Sequence, residues 1–222
     1  MRNRAQLTSA MVFCIFAGHG LPAAAQAPYS HQHSFSGAEK WAKSFDDPAR
    51  DAWQKPHEVI SALALASDSV VADIGSGTGY FAVRLAHAVP RGRVLAVDTE
   101  PDMVAYLARR AKQAGLTNLV SITVRPDALV LPEKVDLALL VDVYHHIGDR
   151  VSYFAKLRDS LKPGSRVAVI DFNTRSPIGP PVRERIAVDK VKAEMRDAGY
   201  RLLAEPGFLP NQYFLIFESA AG

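Results

Sequence analysis

The sequence predicts an α/β fold in which a parallel sheet is wrapped by helices, and three observations carry that expectation. Strand-like and helix-like runs alternate regularly from Ser69 onward, the pattern of successive crossovers in an open sheet. A glycine-rich stretch, Asp73-Ile-Gly75-Ser-Gly77-Thr-Gly79, joins an apolar run to a helix-like one, as a strand-to-helix turn over a ligand does. The 222 residues, 48% of them apolar, suffice for one such core and are few for two domains.

The elements follow in order. Ala38 to Ala66 has helical spacing of Trp41, Phe45, Trp53, Val59, Ile60 and Leu63, with a break at Asp46-Asp47-Pro48; these helices cover one face of the sheet. Strands are expected at Ser69 to Ile74, Arg93 to Val97, Leu119 to Val124, Val135 to Val141 and Arg166 to Phe172. Between them fall helices at Tyr80 to Val89, at Pro101 to Ala114 with Gly115 as its stop, and at Arg150 to Leu161 ending at Lys162-Pro163-Gly164. The connection after the third strand is short and its helix weak. A helix from Val188 to Ala198, capped by Gly199, precedes two strand-like runs, Tyr200 to Glu205 and Tyr213 to Glu218, close enough to pair as an antiparallel hairpin.

The first 27 residues stand apart from this core. Arg2 and Arg4 precede an apolar stretch from Ala10 to Leu21, and Ala25-Gln26-Ala27 has the small-residue form of a cleavage site, so 1–27 is read as a signal peptide and the protein as exported, to the periplasm if the source is bacterial. A misassigned start would leave it cytoplasmic. The apolar stretch is short and interrupted, so no stable membrane span is expected after cleavage. Residues 28–37 read as a disordered lead-in whose His31 and His33 are solvated polar residues, not metal ligands, and 38–222 as the folded domain. Cys14 is the only cysteine and lies in the leader, which excludes thiol chemistry, disulfides and thiolate metal sites from the mature chain. Loss of Arg2 and Arg4 leaves 24 basic against 23 acidic residues, too even a balance for a nucleic-acid field.

The glycine spacing selects the ligand class. The turn is D-x-G-x-G-x-G and not the dinucleotide form G-x-G-x-x-G, and Asp73 would repel a pyrophosphate, so a cationic or neutral nucleoside fits better. Asp98 ends the next strand 23 positions after Gly75, the distance for a carboxylate that accepts from a ribose diol. Here the chain resembles the class I S-adenosylmethionine-dependent methyltransferases, through the Asp73–Phe81 turn, Asp98, and the Asp142-Val-Tyr-His-His-Ile147 and Trp53-Gln-Lys-Pro56 segments. The last two look most like the small-molecule branch related to quinone-biosynthesis enzymes.

That resemblance implies a Rossmann-like, doubly wound, seven-stranded sheet with its last strand antiparallel, and S-adenosyl-L-methionine as methyl-donor cosubstrate. It implies cofactor contacts at Asp73, Gly75, Gly77, Gly79, Asp98 and Thr99, at Asp127 and Ala128 toward the adenine ring, and at Asp142. His145 and His146, past the fourth strand, are the candidates to orient or deprotonate the acceptor, although an in-line displacement on an activated methyl needs little beyond alignment. Tyr29, Trp41, Phe45 and Trp53 are candidates for an aromatic lid, and arginines 175, 183 and 185 point to an anionic small-molecule acceptor. An Asn-Pro-Pro-Tyr-type motif is absent, which disfavours nucleobase amines. Two other readings stand beside methyl transfer: an exported, non-catalytic binding module for the same nucleoside, and a nicotinamide oxidoreductase. The second is disfavoured by the glycine spacing and the lack of a Tyr-x-x-x-Lys pair.

Overall fold

A computed structural model of the protein describes residues 35–125 and 129–219. The leader over 1–27, with Tyr29, His31, His33, Asp127 and Ala128, lies outside the described residues.

Seven strands form one sheet: β1 (Val70–Ile74), β2 (Arg93–Asp98), β3 (Leu119–Thr123), β4 (Val135–Val141), β5 (Leu161–Phe172), β6 (Tyr200–Ala204) and β7 (Gln212–Ser219). Their order is β3-β2-β1-β4-β5-β7-β6. The first five run parallel, and β7 is antiparallel to both β5 and β6. Because β1 is flanked by β2 on one side and β4 on the other, the winding reverses there and opens a crevice at the strands' carboxyl ends.

The central strands are apolar throughout because both faces are covered. One face, with Leu140, Val167, Val169 and Leu215, packs against α6 (Arg150–Leu157) and α7 (Val188–Asp197) through Phe154, Leu157, Val191 and Met195. The other, with Val71, Leu139, Ile170 and Phe214, packs against α3 (Pro56–Leu63), α4 (Tyr80–Ala88) and α5 (Pro101–Gln113) through Val59, Leu85 and Leu107. Two short helices, α1 (Ala38–Phe45) and α2 (Asp51–Gln54), precede α3. Helix ends follow local chemistry. Pro101 starts α5, Asp102 sits in its first turn and Arg110 and Lys112 in its last, each sign matched to the helix dipole. The Asp149 carboxylate caps α6 by accepting from the Ser152 amide at 3.2 Å.

One boundary differs from expectation. The helix expected to reach Leu161 ends at Leu157, and β5 begins at Leu161, not Arg166. Pro163 and Gly164, with φ of 72° at the glycine, do break the local backbone as turn residues should. The break makes a bulge within a strand: Val135 pairs with Leu161 but Leu137 with Arg166. Lateral pairing with β4 on both sides of the bulge keeps one strand where local signals mark an end.

A methyl group on Gly92 would lie 2.0 Å from the Ser69 carbonyl oxygen, a backbone atom that cannot swing away, whereas one on Gly115 would meet nothing within 4 Å. Gly92→Ala is therefore expected to cost about 1–3 kcal/mol and lower Tm by several degrees in thermal unfolding. Gly115→Ala, strained only through its positive φ, should cost ~1 kcal/mol.

Candidate active site

Four adjacent strands deliver aspartates to the crevice: Asp73 from β1, Asp98 from β2, Asp142 just past β4, and Asp171 from β5. Between β1 and α4 the chain makes a tight turn with φ of 72°, 52° and 95° at Gly75, Gly77 and Gly79, a region that side chains other than glycine rarely enter. The amides of Gly75 and Ser76 both donate to the Val97 carbonyl, at 2.8 and 3.1 Å, tying the turn to β2. The Gly77 amide donates to Asp98 Oδ2 at 2.8 Å and the Glu100 amide to Oδ1 at 3.0 Å. Burial raises the Asp98 pKa, opposed by the amides of Glu100, Gly77 and Thr99, the residue that follows it directly.

The turn is pressed on from two sides. An added Cβ at Gly75 would come within 2.4 Å of the Val143 side chain, and one at Gly79 within 2.2 Å of Leu107. Over Gly77 lies the ring of Phe45. Three buried polar atoms here, Asp73 Oδ2, Ser76 Oγ and Thr78 Oγ1, have no hydrogen-bond partner among the described residues. Burial without a partner costs ~1–3 kcal/mol for each such group, so the turn is a cradle suited to a polar ligand. Burial, reinforced by the charge of Asp98, pushes the Asp73 carboxyl up to about 7 against the opposing effects of the Ala82 amide and Arg50. A cationic ligand group would reverse that shift.

Past β4, Asp142 adopts φ of 59° and its amide donates to the Ile170 carbonyl at 2.9 Å. Its carboxylate accepts from Gln212 Nε2 at 2.5 Å and from Arg50 Nη2 at 3.4 Å. Gln54 Nε2 donates to Gln212 Oε1 at 2.6 Å, and Arg50 Nε donates to Gln54 Oε1 at 3.1 Å, closing a ring of four side chains. The Arg50 guanidinium also lies 4.2 Å from the centre of the Tyr80 ring. Burial first, then the neighbouring Asp171, pushes Asp142 up to about 7, opposed by Arg50, Gln212 and His145.

His145 and His146 share a single 3-10 turn, Tyr144–His146, with ring centres 4.0 Å apart. His145 turns inward: Nδ1 lies 2.9 Å from both oxygens of Asp171, and its own amide donates to Asp171 Oδ2 at 3.1 Å. Burial pulls its pKa down, but the Asp171 hydrogen bond and charge, with Asp142 and Glu184, hold it above the ordinary histidine value. His146 faces Phe35, 5.8 Å between ring centres, which joins Trp41 and Phe45 in an aromatic cap. Carboxylates at the start of α5 hold that cap down: the Phe35 amide donates to Glu100 at 3.0 Å and the Gly37 amide to Asp102 at 2.6 Å. Arg110 adds an ion pair with Asp46 at 2.7 Å.

Comparison with known proteins accords with this geometry. Residues 72–167 match a family described as a methyltransferase domain. A solved S-adenosylmethionine-dependent methyltransferase from Aquifex aeolicus superposes with a TM-score of 0.77 at 25% identity, covering 82% of this chain and 98% of that one. The trans-aconitate 2-methyltransferase of Mycobacterium tuberculosis is 29% identical over 147 residues, 66% of this chain and 54% of its own length. A ubiquinone biosynthesis O-methyltransferase of Cereibacter sphaeroides is 30% identical over 101 residues, 46% of this chain and 40% of its own. The chain thus spans about half the length of the curated relatives it matches. Over residues 72–167 it carries a methyltransferase domain, and its fold is similar to that of S-adenosylmethionine-dependent methyltransferases. The unpartnered polar atoms and amides of the glycine turn offer hydrogen-bonding partners suited to the amino, carboxyl and ribose groups of S-adenosylmethionine.

Within this methyltransferase fold, Asp73, the three glycines, Asp98, Thr99, Asp142 and both histidines come together at the crevice. Of the expected lid, Trp41 and Phe45 belong to the cap, while Trp53 packs on Phe172 at 5.7 Å and on Arg50. Arg185 is committed to its own loop, donating to the carbonyls of Asn173, Ser176, Ile178 and Pro180. Arg183 is exposed and pairs with Glu184 at 3.2 Å. Sequence reading missed Arg50, Gln54, Asp171, Gln212 and Tyr213. Asp171 carries a readable signal, an acid at the end of the apolar run Val167-Ala-Val-Ile170, like Asp73 and Asp98; the two glutamines carry none.

Asp73 and Asp142 keep protons up to near pH 7 in the folded chain that the unfolded chain releases near pH 4, so these groups make the fold less stable as pH rises across that window. His145 acts in the same sense, since a raised folded pKa stabilises at low pH and is lost as pH passes it. Tm without ligand should fall by several degrees between pH 5 and 7.5, and Asp142→Asn should flatten that slope. Arg50→Gln should cost about 1–3 kcal/mol at pH 7.5, where Asp142 is ionised, and less at pH 5, in denaturant titrations at the two pH values.

Proposed function

We propose that this protein transfers the methyl group of S-adenosylmethionine to a small organic acceptor by in-line displacement. The observation that carries the reading is the turn after β1, where three left-handed glycines, an amide bonded to Asp98 and three unpartnered polar atoms converge. Asp98 and Thr99 would meet the ribose, Gly75, Gly77 and Gly79 would let the backbone approach the amino-acid portion, and Asp73 and Asp142 would favour a cation at the sulfonium and ammonium. Asp127 and Ala128 would meet the adenine. Relatives named for trans-aconitate and for an O-methyltransferase support a small acceptor. Arg175 and Arg183, exposed on the loop before α7, favour one that carries negative charge away from the reacting atom. The leader pattern over 1–27 supports export before the enzyme acts.

Most of the rate enhancement in such a reaction is alignment, for which effective molarity supplies ~7–11 kcal/mol. The crevice serves this by rigidity: strand pairing holds β1, β2 and β4 on either side of the turn, and the Phe45 ring of the aromatic cap lies over Gly77.

Calorimetric titration of the chain from Ala27 onward tests the reading. Micromolar binding of S-adenosylmethionine and S-adenosylhomocysteine is expected, with affinity falling about 10- to 100-fold in Asp98→Ala through loss of hydrogen bonds to a charged group. Binding of NADH instead would overturn it.

A further inference from the structure

We infer that the end of the sheet opposite the crevice carries a second binding site, which takes a soluble small molecule through a phosphate group. The inference goes beyond methyl transfer and does not depend on it.

A cavity of about 910 Å³ opens where β4 and β5 begin and β7 ends. That volume lies within the range of small-molecule sites, ~300–1,000 Å³. The bulge in β5 builds it. Between the pairs Val135–Leu161 and Leu137–Arg166, Asp136 alone on β4 faces Lys162, Pro163, Gly164 and Ser165, so the extra residues swing out of the ladder and become one wall.

Cations from four separate segments line the cavity: Lys134 before β4, Arg158 just after α6, Lys162 in the bulge and Arg201 on β6. Against these four stand two acids, Glu218 and the exposed Asp159. The bonds that place the cations leave donors to spare. Lys162 Nζ donates to Asp136 at 2.8 Å and Arg201 Nη2 to Glu218 at 2.5 Å, while Nε and Nη1 of Arg201 have no partner among the described residues. Lys134 has no hydrogen bond or ion pair among them. Arg158 is the most firmly held: Nε donates to Ser219 Oγ at 3.3 Å, and an added Cβ on Gly199 would come within 2.6 Å of its Nη1. The glycine that caps α7 thus also leaves room for this guanidinium.

The lining selects the ligand. Ammonium and guanidinium donors that arrive from several directions surround a tetrahedral dianion better than a planar carboxylate, whose lone pairs lie in one plane. A guanidinium fork grips two phosphate oxygens at once. Leu161 and Pro163, beside the cations, offer apolar surface to the organic part of the molecule. From Val135 at the cavity to Asp142 at the crevice β4 spans ~20 Å, so the two sites can be filled together.

The test uses the full chain labelled with nitrogen-15, with pyrophosphate as the soluble probe, citrate as the carboxylate control and phosphatidic acid vesicles as the lipid-borne phosphate. Pyrophosphate should shift the amides of Lys134, Arg158, Lys162, Gly164 and Arg201 with Kd below about 1 mM, equally with and without S-adenosylhomocysteine, and more weakly as salt is raised. Lys134→Glu, at an exposed position, should weaken binding about tenfold or more, and Arg201→Gln should weaken it by a similar factor. Shifts confined to the glycine turn, an affinity unmoved by both substitutions, or citrate binding as tightly as pyrophosphate overturns the inference. Flotation with the vesicles in the absence of pyrophosphate binding overturns the soluble source. Failure of S-adenosylhomocysteine to bind would strike the methyl-transfer reading and leave the pyrophosphate result standing.

Discussion

The crowding of four carboxylates, two buried and two half-buried, at neighbouring strand ends is the constraint around which the upper edge of this sheet is organised. Asp73, Asp98, Asp142 and Asp171 end four neighbouring strands, and acids so placed repel one another in a medium that screens poorly. Each is met by a different device. Asp98 accepts backbone amides from its own and the neighbouring turn, Asp142 takes Arg50 and Gln212, and Asp171 takes a histidine ring with two amides. Asp73 keeps an oxygen without a partner among the described residues. The site is thus charged beyond what the fold alone neutralises, and a cation in the cradle would complete it.

The ring of Arg50, Gln54, Gln212 and Asp142 does a second job. It joins the helices before β1 to the ends of β4 and β7, residues 158 positions apart at its widest. Polar side chains in so tight a circuit satisfy one another only in one arrangement, so the ring sets how α2 sits over the crevice. The aromatic cap extends the same region toward His146 and is pinned by Glu100 and Asp102, both next to the start of α5. Carboxylates that favour that helix end also catch the amides of the arriving chain. The glycine turn, the histidine turn and the amino-terminal helices are therefore one connected polar assembly and not three independent parts.

Much of this architecture is legible in the amino-acid sequence. The alternation of apolar runs with helical spacing points to a doubly wound sheet because strands covered on both faces must be apolar throughout. The D-x-G-x-G-x-G turn and Asp98 are legible because their chemistry is local: positive φ demands glycine, and an acid at a strand end stands out from an apolar run. Asp171 is open to the same logic, but no glycine turn stands beside it to mark it as part of a site. The end of α6 misleads for the opposite reason: Pro163 and Gly164 signal a stop, yet pairing with β4 turns the stop into a bulge.

The class of sheet, the ligand turn and the family are written in the chain's local patterns. Which histidine faces inward, which carboxylate holds it, and that Gln54, Gln212 and Arg50 belong to the site at all emerge only from the folded chain. The reason is range: a turn or a strand is encoded in neighbouring residues. A hydrogen bond between positions 26, 92 or 158 residues apart is created by strand order and register, which no local pattern encodes.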